Sequence, residues 1–294
     1  MDALDTRDMH QQLERAFGEA LTLPEGQATP FEDWRELSRL VVALAKARHA
    51  KVIAICGSQG SGKTTLAEVV TRTFNVGQTR DDAVATAVTC SLDDFYLSKQ
   101  ARADLARNVH PLLETRGVPG THDWQWLGEV LNAVKTGSTY FKRPVFDKAT
   151  DDRSGVVSVE AEVLVIEGWC LGVTPQPEEQ VSPPCNGLER SEDKDGRWRR
   201  YVNSQIETHY QPLWASVDLW VHLRVPSFEK VIEWRTLQEQ QLPQEARMSE
   251  AELIKFVQHY ERLTRWIGSS QPIPPGLKVD LDEHHAVQSV DIVV

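Results

Sequence analysis

Val52-Ile53-Ala54-Ile55-Cys56-Gly57-Ser58-Gln59-Gly60-Ser61-Gly62-Lys63-Thr64-Thr65 is the stretch that decides the fold. An apolar run leads straight into Gly57-x-x-x-x-Gly62-Lys63-Thr64, the spacing of a phosphate-binding loop between a buried strand and a helix. Glycines at 57, 60 and 62 let the backbone turn tightly and aim its N–H groups at phosphate oxygens. Lys63 sets a point charge against the β- and γ-phosphates, and the Thr64 hydroxyl suits a Mg²⁺ ion. Ser58, Gln59, Ser61 and Thr65 complete the expected nucleotide-binding loop. The helix expected over 64–74 directs its positive N-terminal end at the same anion.

Working outward, the sequence alternates apolar strand-like runs with helical patterns. Strands are expected at 51–56, 83–92, 163–166, 219–225 and 277–281. Helices are expected at 9–21, 31–50, 124–135, 228–241 and 249–267, with Pro24 and Pro30 bounding the break between the first two. Residues 116–123 read as a loop, and 171–195, rich in Pro, Glu and Ser, as a mobile surface loop. This order predicts an α/β fold: a mostly parallel sheet of the P-loop NTPase type with helices on both faces. The expected organisation is an N-terminal helical extension over 1–50, packed on a kinase-like core over 51–294 with a helical lid at about 228–267.

Bulk properties narrow the partners. The chain has 294 residues, 40% of them hydrophobic and 26% charged, which is ordinary globular composition. A formal net charge of −11 argues against a nucleic acid or an anionic membrane as partner. The cluster Arg197-Trp198-Arg199-Arg200 follows the acidic stretch 189–195 and reads as a salt-bridged or solvated element. Cysteines at 56, 90, 170 and 185 show neither a C-x-x-C pair nor metal spacing. With no N-terminal apolar signal region and no run of membrane-spanning length, a cytoplasmic location is expected; the oligomeric state stays open.

In parallel sheets of this kind ligands bind beyond the C-terminal strand ends, and Gly57, Asp93 and Glu167 each fall at one. Phosphoryl transfer needs a metal clamp, a group that orients the accepting hydroxyl, and positive charge on the transferring phosphoryl. Glu167, directly after Val-Leu-Val-Ile, suits the metal-side carboxylate. Asp93 and Asp94 are adjacent, so on extended backbone only one faces the phosphate: one is the base or orienter, the other a helix cap or a substrate contact.

Several strings together resemble the D-glycerate 3-kinase family, within the phosphoribulokinase, uridine kinase and pantothenate kinase group of P-loop kinases. These are residues 57–65, Ser91-Leu92-Asp93-Asp94-Phe95-Tyr96, Arg116-Gly117-Val118-Pro119-Gly120-Thr121-His122-Asp123, Pro144-Val145-Phe146-Asp147-Lys148-Ala149 with Asp152-Arg153, and Glu167-Gly168-Trp169-Cys170-Leu171-Gly172. The similarity covers about residues 51–285. The resemblance implies that Asp93 rather than Asp94 is the catalytic base, that Glu167 serves the magnesium site, and that Arg235 on a lid helix stabilises transferring charge. ATP would be the co-substrate and D-glycerate the first choice of acceptor.

A hydroxy acid of that kind needs a cation for its carboxylate, preferably a bidentate Arg. Arg116, Arg153 and Lys148 are the candidates; His122, Asp123, Asp94 and Tyr96 are candidates for the rest of the substrate site. A nucleoside acceptor would instead need an aromatic platform, with Phe146 and Tyr96 as its possible members. The alternatives are a kinase for a nucleoside or pantothenate-like alcohol, or a nucleotide-hydrolysing regulatory switch. A GTP-specific N/T-K-x-D motif after a late strand is absent from the sequence.

Overall fold

Val52–Gly57 (β1) is buried along its entire length, as a strand covered on both faces of a parallel sheet must be. Its side chains alternate between two cores: Val52, Ala54 and Cys56 enter one, Ile53 and Ile55 the other. The structure is a computed structural model that describes residues 30–76, 85–240, 244, 247–269 and 271–293. The helix expected at 9–21 and the first residues of the second expected strand lie outside these.

The strands are β1, Ala85–Ser91 (β2), Tyr140–Asp147 (β3), Asp152–Gly168 (β4), Leu219–Arg224 (β5), Gly276–Leu281 (β6) and Val287–Val293 (β7). They form one sheet in the order β2-β4-β1-β5-β6-β7, with β3 paired to β4 off this path. From β2 to β6 every neighbour is parallel; β7 and β3 run antiparallel to their partners. This is the mostly parallel α/β sheet that the strand–helix alternation predicts.

One face is covered by Pro30–Ala47 (α1) and Lys63–Phe74 (α2), whose Leu40, Val41, Leu44, Leu66 and Val70 meet the Ile53/Ile55 side of the sheet. The other face carries Lys99–Asn108 (α3), Trp124–Lys135 (α4), Arg197–Gln205 (α7), the short Gln211–Trp214 (α8) and part of Glu250–Ser269 (α10), through residues such as Leu105, Leu127, Leu131, Val202, Leu213, Tyr260 and Leu263. Phe228–Gln240 (α9) and the first half of α10 share a separate small core of Phe228, Val231, Leu253 and Val257.

Two expectations need correction. Residues 171–195 are not a mobile loop: they contain the short helices Glu178–Val181 (α5) and Gly187–Glu192 (α6). The buried polar groups of this segment, Gln176, Asn186, Glu189 and Asp193, are met by partners in the protein. Arg262 of α10 meets Glu189 through Nε–Oε1 at 2.7 Å, and Arg199 Nη1 meets Asp193 Oδ2 at 2.9 Å. The basic cluster at 197–200 is thus salt-bridged, with Arg199 itself buried. The second correction is the hairpin of β3 with the outer half of β4, which carries no clear signal in the sequence. It projects as a two-stranded ribbon with much of Asp152–Gly168 exposed before the strand enters the core.

Candidate active site

The parallel register brings three chain segments to one edge. Glu167 pairs across from Ile55 of β1 and Ser91 of β2, one residue short of the phosphate-binding loop. Gly62, at φ +82, caps α2 in the left-handed conformation and offers no side chain to the helix's first N–H groups. Those donors are therefore free to meet an anion. Asp93 follows β2 in a 3-10 turn, Leu92–Phe95, and not on the extended backbone assumed from the sequence.

That turn separates the two aspartates. Asp94 closes a capping box, accepting from Ser91 N at 3.1 Å, and pairs with Arg143 at 2.9 Å. Burial pushes its carboxyl up despite Arg143. Asp93 instead faces a cavity of about 350 Å³. The loop residues Gln59, Gly60, Gly62, Lys63, Thr64 and Thr65 form one wall. Asp93, Tyr96, Arg116, Lys148 and Trp169 form the opposite one, and Arg235, Gln238, Phe256 and Tyr260 close it from α9 and α10.

Asp93 is engaged at both oxygens: Tyr96 Oη donates to Oδ1 at 2.9 Å and Lys148 Nζ to Oδ2 at 2.6 Å. Burial alone would push this carboxyl up. The ammonium of Lys148, with the charge of Lys63 and the Tyr96 hydroxyl, outweighs burial and holds it below the usual carboxylate range. Tyr96 itself is pushed well up by burial and by Asp93, so it stays a donor.

Glu167 lies behind the wall rather than on it. Burial pushes its carboxyl up against the opposing pull of Lys63, and its Oε2 is buried with no partner in the protein. Ser58 Oγ and Ser61 Oγ are orphaned in the same way. A buried carboxylate oxygen without a partner is costly, and a hard cation is the kind of ligand that satisfies it. The orphaned Glu167 oxygen is thus the observation in this structure that fits a Mg²⁺ ion, with the Thr64 hydroxyl on the cavity wall as the other expected ligand.

Arg116 reaches the cavity from the 116–123 loop, held by Asp151, and its guanidinium lies 5.5 Å from the centre of the Phe146 ring. Gly117, at φ +139, leaves room for Tyr260, whose hydroxyl donates to Arg116 O at 3.0 Å. Arg235 also faces the cavity, tethered to Glu239 at 2.7 Å.

His122, Asp123 and Arg153 do not line the cavity; they frame it. His122 is buried, stacks on Tyr96 with ring centres 4.6 Å apart, and bonds Tyr210 Oη through Nδ1 at 2.8 Å. Burial pushes its imidazole down to about 4, so it is neutral at neutral pH. Asp123 caps α4 by accepting from Trp126 N at 3.1 Å. Arg153 spans from Asp123 Oδ2 at 2.9 Å to Tyr96 O at 2.8 Å, fixing the tyrosine that touches Asp93.

The sequence reading missed Phe256 and Tyr260, because aromatic residues at helical spacing on an amphipathic helix look like core, and Gln238, a polar residue of α9 that looks solvated. It also missed His285, whose Nε2 donates to Gly60 O at 2.8 Å and whose ring stacks on Trp234 of α9 at 3.9 Å, beside the phosphate loop. Two aromatic residues four apart, Phe256 and Tyr260, facing the strand ends were the available signal.

Comparison with known proteins agrees with this geometry. A model of the phosphoribulokinase / uridine kinase family matches residues 52–176. The chain is 32% identical over 230 residues to a Schizosaccharomyces pombe protein described as the uncharacterized kinase mug58, covering 71% of this chain and 78% of the relative. It is 31% identical over 227 residues to the chloroplastic D-glycerate 3-kinase of Arabidopsis thaliana, covering 71% of this chain but 46% of that protein. A solved D-glycerate 3-kinase from Cryptococcus neoformans superposes with a TM-score of 0.67 over 91% of this chain and 100% of the other; at 22% identity this likeness is one of fold. With a phosphate loop, a strand-end carboxylate and these relatives in hand, the chain belongs to the phosphoribulokinase/uridine kinase family and is an ATP-dependent kinase.

Proposed function

We propose that this kinase transfers the γ-phosphoryl group of ATP to the hydroxyl of a small hydroxy acid, with D-glycerate as the first choice. The observation that carries the reading is the charge pattern of one cavity. Lys63, Arg116, Lys148 and Arg235 line it against a single carboxylate, Asp93. Lys63 and the loop N–H groups account for the triphosphate, leaving Arg116 and Lys148 beside Asp93 to meet an anionic acceptor. The Arabidopsis relative described as a D-glycerate 3-kinase points the same way.

In this reading Asp93 accepts the hydroxyl proton as the acceptor oxygen bonds to the γ-phosphorus. The bond from phosphorus to the β–γ bridging oxygen then breaks, and ADP leaves. Arg235 balances charge on the transferring group from the α9 side. Arg116, presented by Asp151, and Lys148 hold the acceptor carboxylate. Thr64 and Glu167 would hold Mg²⁺, which supplies charge neutralisation on the phosphates. Closure of α9 and the first half of α10 excludes water from the transfer.

A nucleoside acceptor fits less well. Of the expected aromatic platform Tyr96 reaches the cavity wall, and His122 covers one of its faces while Phe146 meets it edge-on; of the other wall rings, Trp169 and Tyr260 meet edge-on and Phe256 lies under Arg235. The test is ADP release in a coupled assay against D-glycerate, glycolate, nucleosides and pantothenate. Saturable release with a hydroxy acid is expected. Release driven by nucleosides or pantothenate in preference to any hydroxy acid would contradict the reading.

A further inference from the structure

The contact between Lys148 and Asp93 is a poor candidate for a structural ion pair. Lys148 sits in the turn joining β3 to β4, and its side chain is 63% exposed against 27% for Asp93. A pair this exposed adds little to stability. Yet its ammonium occupies the carboxylate oxygen that would take a proton, at 2.6 Å. Tyr96 fills the other oxygen, and Tyr96 is buried and fixed by Arg153 and His122. Of the two contacts on Asp93, only the one from Lys148 can swing away.

The same turn supplies Asp151, which holds Arg116, so the two cations on the acceptor side are presented together. We propose that Lys148 is a removable cap on the base, occupying Asp93 Oδ2 until the acceptor's own carboxylate draws the ammonium toward itself and Arg116. The inference rests on the reading of Asp93 as base and of the acceptor as a carboxylic acid. While capped, Asp93 is a weak base with no free oxygen, and water in the cavity is not activated. Once uncapped, Asp93 Oδ2 takes the acceptor's hydroxyl proton as its oxygen bonds to the γ-phosphorus and ADP departs. One lysine thereby selects an anionic acceptor and suppresses transfer to water.

The test compares wild type with Lys148→Ala, and with Lys148→Met, which keeps the aliphatic stem. Three readouts are used: ATP hydrolysis without acceptor, transfer to D-glycerate, and transfer to glycerol, which lacks the carboxylate. Uncapping should raise hydrolysis and kcat/KM for glycerol by about tenfold while kcat/KM for D-glycerate falls by a similar factor. Adding Asp93→Asn should abolish the gain in hydrolysis. If D-glycerate transfer falls while hydrolysis and glycerol transfer stay at wild-type levels, Lys148 is an anchor only and the cap is overturned. A hydrolysis gain that survives Asp93→Asn overturns it as well. Wild-type protein that phosphorylates no carboxylic acid would refute the acceptor reading, whereas an Asp93-dependent rise in hydrolysis would still support the cap.

Discussion

Arg262 grips Glu189 with both prongs of its guanidinium, Nε to Oε1 at 2.7 Å and Nη2 to Oε2 at 2.5 Å, the side chains being 8% and 0% exposed. Arg262 also donates to the carbonyls of Gln180 and Pro183, each at 2.7 Å. The pair ties α10 to a segment whose composition reads as a mobile loop.

Removing one partner of such a pair leaves an uncompensated buried charge. Glu189→Ala is expected to lower unfolding free energy by about 3–5 kcal/mol. Glu189→Gln, which keeps the volume and one acceptor, should cost less. Urea denaturation of the purified variants reads both.

The same anchoring divides the lid. Tyr260 and Leu263 belong to the main core, whereas Phe228, Val231, Leu253 and Val257 pack only among themselves and their near neighbours. Closure on ligands is therefore expected in α9 and the first half of α10. In hydrogen exchange, a non-hydrolysable ATP analogue with D-glycerate should protect 228–257, while 259–267 is already protected without ligand. Equal protection gains along the whole of α10 would contradict this.

Glu167 has a buried oxygen with no protein partner, and Glu167→Gln replaces it with a neutral amide. The fold should survive, because the site no longer buries a carboxylate that burial already pushes toward its neutral form. The expected change is in metal use: the Mg²⁺ concentration for half-maximal activity should rise about tenfold or more. An unchanged Mg²⁺ titration would move the metal site elsewhere.

Two histidines set part of the pH dependence of stability. Burial pushes both His122 and His222 down to about 4. The unfolded chain, with imidazoles near the ordinary value of about 6.5, binds protons that the folded chain refuses. Their stabilising effect is therefore complete above that value and is lost as pH falls toward 4. At pH 5 each costs about 2 kcal/mol relative to neutral pH. His222 is outside the cavity wall, so His222→Gln should flatten the stability profile between pH 7 and 5 while transfer at neutral pH persists. Parallel profiles for variant and wild type would refute the assignment.

Much of this site is legible in the sequence, and the reasons are local. The phosphate loop is contiguous, and its strand is buried on both faces, so pattern and function coincide in residues 52–65. Asp93 and Glu167 are legible because parallel strands deliver their C-terminal ends to one edge. What is not legible depends on distant partners. Nothing near Glu189 in the sequence announces Arg262, and a polar residue facing a buried guanidinium looks like one facing water. Arg153 and His122 resemble substrate contacts for the same reason, yet they hold Tyr96 in place. The β3–β4 ribbon escaped because the outer half of β4 is exposed and shows no core-facing period, while Lys142, Arg143 and Pro144 interrupt the apolar pattern of β3, whose Phe141 and Phe146 are buried.

In the proposed mechanism Asp93 activates the accepting hydroxyl beside a triphosphate held by Lys63. The most direct measurement compares Asp93→Asn with wild type in D-glycerate-dependent ADP release, alongside nucleotide affinity from equilibrium titration. With Asp93 as the base, kcat falls by about 10²–10⁴-fold while ATP affinity changes by less than about threefold. Asp93→Asn turning over at the wild-type rate would contradict it.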